Sequence, residues 1–198
     1  RDRDSVIHRL PADSSEQDVL TLIGELNDSG THGILLQLPV PDHLNSLRLL
    51  DAIHPDRDVD GLNIANVGKR TLGLAGILPC TPKGCLALLK TVQSDLSGLH
   101  AVVIGRSDLV GKPMAQLLLR ENCTVTQAHS RTKDLPDICR QADILIAAIG
   151  SPRFVKGEWI KDGAIVIDVG INRVEGESKT LAGDVDFDSA LPHVRAIT

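Results

Sequence analysis

The sequence predicts an α/β chain whose second half is a doubly wound parallel sheet, preceded by a smaller α/β domain. Three observations predict it. From His100 onward, short apolar segments at 101–104, 124–126, 143–148 and 164–168 alternate with helical stretches at 114–120 and 135–140. Most of those segments are near-continuous runs of Val, Ile, Leu and Ala, the mark of strands covered on both faces. The first strand also runs straight into Gly105, and Gly111 and Pro113 then lead into the next helix.

The elements before the sheet follow in order. Residues 14–26 predict a helix: Ser14 with Gln17 matches a capping box, and Val19, Leu22, Ile23 and Leu26 form an apolar stripe at helical spacing. Residues 33–38 are a short apolar run consistent with a buried strand, halted by Pro39 and Pro41 and carrying one polar residue, Gln37. A helix over 46–53 and a polar loop over 54–61 come next. Residues 62–79 show no clear period and are expected to be irregular. Thr81-Pro82 is a helix-opening pair, with Leu86, Leu88 and Leu89 carrying that helix to about Val92. The expected domains are residues 1–85 and 86–198.

Composition narrows the function. The 198 residues, 42% hydrophobic and 24% charged, suffice for one medium domain or parts of two. A formal net charge of −5 with no long Lys/Arg run argues against nucleic acid as a partner. With no Tyr, one Trp and two Phe, the chain has few rings on which bases could stack. No apolar run approaches the ~20 residues that span a bilayer, so no membrane partner is expected. The opening Arg-Asp-Arg-Asp-Ser leads into no apolar core, which argues against a signal peptide, and it does not start with Met. Cys80, Cys85, Cys123 and Cys139 lack Cys-x-x-Cys spacing. They read as buried or incidental thiols ahead of metal ligands or disulfides, which suits a reducing compartment. No metal is expected.

Four segments carry the candidate chemistry. In a doubly wound sheet, ligands sit beyond the carboxyl ends of the strands, where helix N-termini attract phosphate. Gly105-Arg106-Ser107 occupies that place, although it lacks the Gly-x-Gly-x-x-Gly pattern and could be a plain strand-to-helix turn. His129-Ser130-Arg131-Thr132 follows the next strand, where an acidic residue usually bonds a ribose 2′-hydroxyl. Ser and Arg suit a 2′-phosphate instead, unless the segment is only a polar loop. Gln37 is an amide in an apolar run, to be satisfied by structure or by ligand. Asp60 lies among three aspartates in five residues, without calcium-loop spacing, and could equally be part of a solvated loop.

Together these segments resemble the bifunctional methylenetetrahydrofolate dehydrogenase/cyclohydrolase family. The matching stretches are Gln-Leu-Pro-Val-Pro (37–41), Pro-Asp-Arg-Asp-Val-Asp-Gly (55–61), Pro-Cys-Thr-Pro-Lys-Gly (79–84) and Gly-Arg-Ser-Asp-Leu-Val-Gly-Lys-Pro (105–113). His-Ser-Arg-Thr (129–132), Val-Ile-Asp-Val-Gly-Ile-Asn (166–172) and Gly-Asp-Val-Asp-Phe (183–187) complete them, in family order along nearly the whole chain. The resemblance implies a folate domain and a Rossmann-like cofactor domain, with substrate in the cleft between them. It implies NADP-dependent oxidation of 5,10-methylenetetrahydrofolate to the methenyl cation and hydrolysis of that cation to 10-formyltetrahydrofolate. The implied setting is one-carbon metabolism in a cytoplasmic homodimer, with tetrahydrofolate derivatives as partners. By the match, Asp60 bonds the pterin, and Gln37 orients a catalytic lysine, with Leu36 and Leu38 beside the substrate. Gly105, Arg106 and Ser107 line the cofactor phosphate site, Ser130 assists at the 2′-phosphate, and the Ile171 backbone meets the nicotinamide carboxamide.

Two features depart from the family pattern. The family's catalytic lysine follows a substrate-stacking tyrosine by one helical turn, and this chain has no Tyr; Lys69 and Lys83 stand in other motifs. The family's glycine-rich folate-closing loop is expected after Ala196-Ile197-Thr198, where the sequence stops. The chain is therefore expected to be a fragment that keeps dinucleotide affinity without cyclohydrolase activity. The rival reading is a non-catalytic dinucleotide-binding module, favoured by the missing lysine and disfavoured by Gln37 and Asp60. A Rossmann dehydrogenase with another substrate has no use for the folate-side motifs.

Overall fold

The computed structural model describes residues 4–173 and 181–198; Arg1 to Arg3 of the opening segment lie outside them. The chain forms two compact units, residues 1–77 and 78–198.

Among its described residues the first unit holds three helices, α1 (Glu16–Asp28), α2 (Ser46–Ala52) and α3 (Ile64–Thr71). α1 begins later than expected. Its cap is Ser15, whose hydroxyl accepts from the Asp18 amide at 3.2 Å while Asp18 accepts from the Ser15 amide at 3.0 Å. Ser14 and Gln17 offer the same spacing, but a carboxylate at the third helical position also meets the positive end of the helix dipole. Val19 and Ile23 bury the α1 stripe against Ile34, Leu49 and Ile53. The Asn27 amide group ties the end of α1 to the end of α2, donating to the Ala52 carbonyl and accepting from the His54 amide.

Two expectations fail here. Residues 33–38 form no regular strand: a single parallel bridge joins Ile34 to Asp58. Ile34 alone is buried, and Leu35 stands 57% exposed. Pro39 and Pro41 have no N–H to extend a ladder. Residues 62–79, expected to be irregular, contain α3, whose buried face is polar. Asn66 and Arg70 point inward, so a search for apolar periodicity passes over it.

The second unit opens with α4 (Cys80–Val92), preceded by Pro79 with no side-chain cap; Thr81, expected as the cap, is already helical. The expected domain boundary at residue 85 falls inside this helix. Cys85 and Leu89 are buried with Leu96, Met114 and Leu118, which places all of α4 with the second unit.

Five parallel strands follow: β1 (His100–Ile104), β2 (Thr124–Ala128), β3 (Ile144–Ala147), β4 (Ala164–Asp168) and, after a short antiparallel pair β5 (Asn172–Arg173) and β6 (Leu181–Ala182), β7 (Val194–Ile197). Their order is β2-β1-β3-β4-β7. Between them run α5 (Gly111–Arg120), α6 (Leu135–Cys139) and α7 (Phe187–Ala190). The period of two divides the strands between two cores. Ala101, Val103, Ile144, Ile146, Ile165 and Ile167 meet α4 and α5 on one face. Val102, Ile104, Leu145, Ala147, Ala164 and Val166 meet Cys139, Val155, Ile160 and Ala190 on the other. Both faces of β1, β3 and β4 are covered, which is why these three strands read as unbroken apolar runs. This is the predicted doubly wound, Rossmann-like sheet.

Candidate functional site

In the second unit, β1 is flanked by β2 on one side and β3 on the other, so the winding reverses direction at β1 and β3. Open α/β sheets bind ligands outside the carboxyl ends of the strands at such a reversal. The register aligns those ends. Ala128 pairs with Ile104, Ile104 with Ala147, and Ala147 with Asp168. Gly105-Arg106-Ser107, His129-Ser130, Ile149-Gly150-Ser151 and Val169-Gly170-Ile171 therefore leave the sheet along one edge, three of them at positions expected from sequence.

The turn after β1 is held tightly. The Gly105 amide donates to the Ala128 carbonyl at 2.9 Å, and the Gln127 side chain donates to the Gly105 carbonyl at 3.1 Å. Gly105 has φ +128°, and a Cβ there would run into the Ala148 carbonyl. The backbones of the two reversal-point loops thus come into contact, which only glycine allows. The Ser107 hydroxyl accepts from the Val110 and Gly111 amides at 3.2 and 3.3 Å, capping the start of α5. α5 therefore begins at Gly111, ahead of the expected Met114, and Ser107 already satisfies donors that a phosphate could otherwise take. Arg106 and Ser107 are exposed.

After β2 the chain turns through His129, whose amide donates to the Thr132 hydroxyl at 2.8 Å and whose carbonyl accepts from the Thr132 amide. This leaves Ser130 and Arg131 exposed at the turn, with no carboxylate among residues 129–132. Ile171 is 79% exposed beyond β4.

The first unit holds the folate-side candidates. The Ile34–Asp58 bridge lays the start of the 34–38 segment beside the 58–61 loop. Asp58 is 1% exposed and accepts from the Asn63 amide at 2.8 Å and the Asn66 side chain at 3.0 Å. Asn63 caps α3 through the Ala65 amide, and Arg70 donates to the Gly61 carbonyl at 3.0 Å. Both ends of the Asp60 turn are thereby anchored. Asp60 itself is half-buried, and burial, with the Asp58 charge adding to it, raises its carboxyl pKa above the ordinary carboxylate value. Leu36 and Leu38 are half-buried. Gln37, expected to be buried, is exposed, and its amide donates to the neighbouring Leu38 carbonyl at 2.8 Å. Without a strand at 33–38 there is no sheet to enclose it.

Sequence reasoning gave no role to the anchoring residues Asp58, Asn63, Asn66 and Arg70. A usable signal was present: 63, 66 and 70 recur at helical spacing beside an aspartate-rich loop. It also gave none to Asp168 and Asp184, two carboxylates that tie the loops after β3 and β4. Among the described residues, no group of three or more His, Cys, Asp or Glu side chains could hold a metal ion. The four cysteines are free, and burial pushes the Cys139 thiol up to about 11.

A doubly wound sheet with a glycine turn and helix start at its reversal point defines the second unit as a dinucleotide-binding fold. Residues 79–198 match the tetrahydrofolate dehydrogenase/cyclohydrolase NAD(P)-binding domain, and residues 2–60 match the catalytic domain of the same enzymes. The chain belongs to the tetrahydrofolate dehydrogenase/cyclohydrolase family. It is 57% identical over 193 residues to bifunctional protein FolD 2 of Paracoccus denitrificans, covering 96% of this chain and 64% of that protein. It is 59% identical to bifunctional protein FolD of Cereibacter sphaeroides, covering 96% and 65%. Among solved structures it is similar to the bifunctional methylenetetrahydrofolate dehydrogenase/cyclohydrolase FolD of Campylobacter jejuni, with TM-score 0.90, 45% identity and coverage of 94% and 66%. It is also similar to the Trypanosoma brucei enzyme, solved with NADP cofactor and an inhibitor, with TM-score 0.90, 40% identity and coverage of 96% and 67%. The chain spans about two thirds of the length of the curated relatives it matches.

Proposed function

We propose that this chain carries the cofactor site and part of the folate site of an enzyme that oxidises 5,10-methylenetetrahydrofolate to 5,10-methenyltetrahydrofolate with NADP and hydrolyses the product to 10-formyltetrahydrofolate. The observation that supports it best is the row of strand ends Ala128, Ile104, Ala147 and Asp168, which sets the candidate cofactor loops along one edge. NADP, when bound, supplies the hydride acceptor. The chain's own residues bind and orient. Gly105, Arg106 and Ser107 receive the phosphates, Ser130 receives the 2′-phosphate, and the Ile171 backbone meets the carboxamide. In the first unit, Asp60 holds the pterin, with Leu36 and Leu38 giving apolar contact. Gln37, exposed with its amide donating to the Leu38 carbonyl, is the residue proposed to orient a lysine. Hydride transfer needs the two rings held face to face more than it needs an acid or base, so these are positioning tasks. Residues 1–77 and 78–198 are the proposed folate and cofactor regions, and the protein is proposed to work as a cytoplasmic homodimer. Among the described residues no helix is long and apolar enough to cross a membrane.

Cofactor choice tests the reading. The turn after β2 offers Ser130 and Arg131 and lacks a carboxylate to bond a ribose 2′-hydroxyl. NADP should therefore bind more tightly than NAD by roughly 10- to 150-fold, the worth of a charge-assisted contact. Calorimetric titration of both cofactors checks it, and equal affinities would remove the 2′-phosphate assignment.

A further inference from the structure

We infer that Asp184 is a positioning residue for the nicotinamide half of the dinucleotide, an inference that rests on the proposed cofactor site. Asp184 is fully buried. Its Oδ2 accepts from the Ile149 amide at 2.6 Å and the Gly150 amide at 3.0 Å. Its Oδ1 accepts from the Ser151 amide at 2.9 Å and the Asn172 side chain at 2.8 Å. Three consecutive backbone donors of the loop after β3, and one side chain just beyond Ile171, converge on this single carboxylate.

Asp184 is itself held in register. Asp168, the last residue of β4, accepts from the amides of Gly170, Asp184 and Val185 at 2.8, 2.9 and 2.9 Å. The Asp184 carbonyl accepts from the Val155 amide at 3.0 Å. Gly170 lacks the Cβ that would collide with the Asp184 carboxylate, so the chain passes directly over it. The loops 149–151 and 169–172 are thus fastened to each other through Asp184. Loops on a sheet's carboxyl edge are ordinarily free to vary, and here a buried anion fixes two of them on the side toward β4.

The other half of the site does not use this carboxylate. The turn after β1 is pinned by Ala128 and Gln127, and the turn after β2 by Thr132. Loss of the Asp184 anion should therefore act on one half of the dinucleotide and spare the other.

Asp184→Asn keeps the shape but replaces one acceptor oxygen with a donor amide, so two of the four donors lose their partner. In the enzyme, the affinity for NADP and the turnover with it should both fall by about tenfold or more. The affinity for 2′,5′-ADP, which lacks the nicotinamide, should stay within about twofold, because a tenfold loss reports one charged contact. A merely structural role would weaken both ligands alike. Asn172→Ala removes a single donor and should give a smaller loss in the same selective direction, and it decides the matter if Asp184→Asn does not fold. Equal weakening of NADP and 2′,5′-ADP, or unchanged NADP binding in both variants, overturns the inference. Failure of the parent protein to bind either ligand overturns the cofactor reading instead.

Discussion

Gly105→Ala should abolish NADP binding and lower the melting temperature of the second unit. Two independent constraints meet at this residue. Its φ of +128° is a conformation that side chains rarely adopt, and the added methyl would strike the Ala148 carbonyl. Neither backbone can retreat. The Gly105 amide is bonded to Ala128 and the Ala148 amide to Ile104, so both loops continue the sheet's own ladder. Backbone strain of this kind costs about 1–3 kcal/mol, and overpacking a filled space costs about 1–3 kcal/mol. The relief would come from displacing the turn that carries Arg106 and Ser107. Calorimetry should register no NADP binding, and melting should fall by about 5–10 °C. A variant that binds NADP like the parent would show that this turn is not the phosphate site.

The cofactor half was legible in the sequence because its physics is local. Strands buried on both faces must be apolar throughout, so β1, β3 and β4 declare themselves, and a strand running into Gly105 marks the turn. β7 was not anticipated. Its burial is partial at an edge of the sheet, and Val194-Arg-Ala-Ile197 carries an arginine in its middle. α3 was missed for the opposite reason. Its inward face is built from Asn66 and Arg70, and a helix that buries polar groups gives no hydrophobic stripe. The displacement of the α1 cap by one residue shows how closely two boxes can compete in Ser14-Ser15-Glu16-Gln17-Asp18. Asp184 lay in a matched segment, but three of its four partners are main-chain amides 33 to 35 residues away, and no spacing rule reveals a carboxylate that binds backbone.

Asp60→Asn should reduce dehydrogenase turnover by roughly 10- to 150-fold, the range expected when a charge-assisted contact is lost. NADP affinity should be unchanged, because the residue belongs to the first unit and the proposed cofactor loops all belong to the second. Stability gives a separate sign. Burial and the Asp58 charge raise the Asp60 pKa, so the folded state holds this proton more tightly than the unfolded chain does. The stability from the protonated form is complete below the ordinary carboxylate pKa and is lost as pH rises through the raised one. At neutral pH the ionised Asp60 is thus a mild liability to the fold, and Asp60→Asn should melt no lower than the parent. The same shift fixes the rate profile. If the anion holds the pterin, the parent's turnover declines on acidification at a higher pH than an ordinary aspartate would give, and the variant lacks that limb. Turnover, melting and the pH profile measured together separate the two roles. A variant as active as the parent returns Asp60 to a solvated loop. One that simply unfolds makes it part of the scaffold that Asp58, Asn66 and Arg70 already provide.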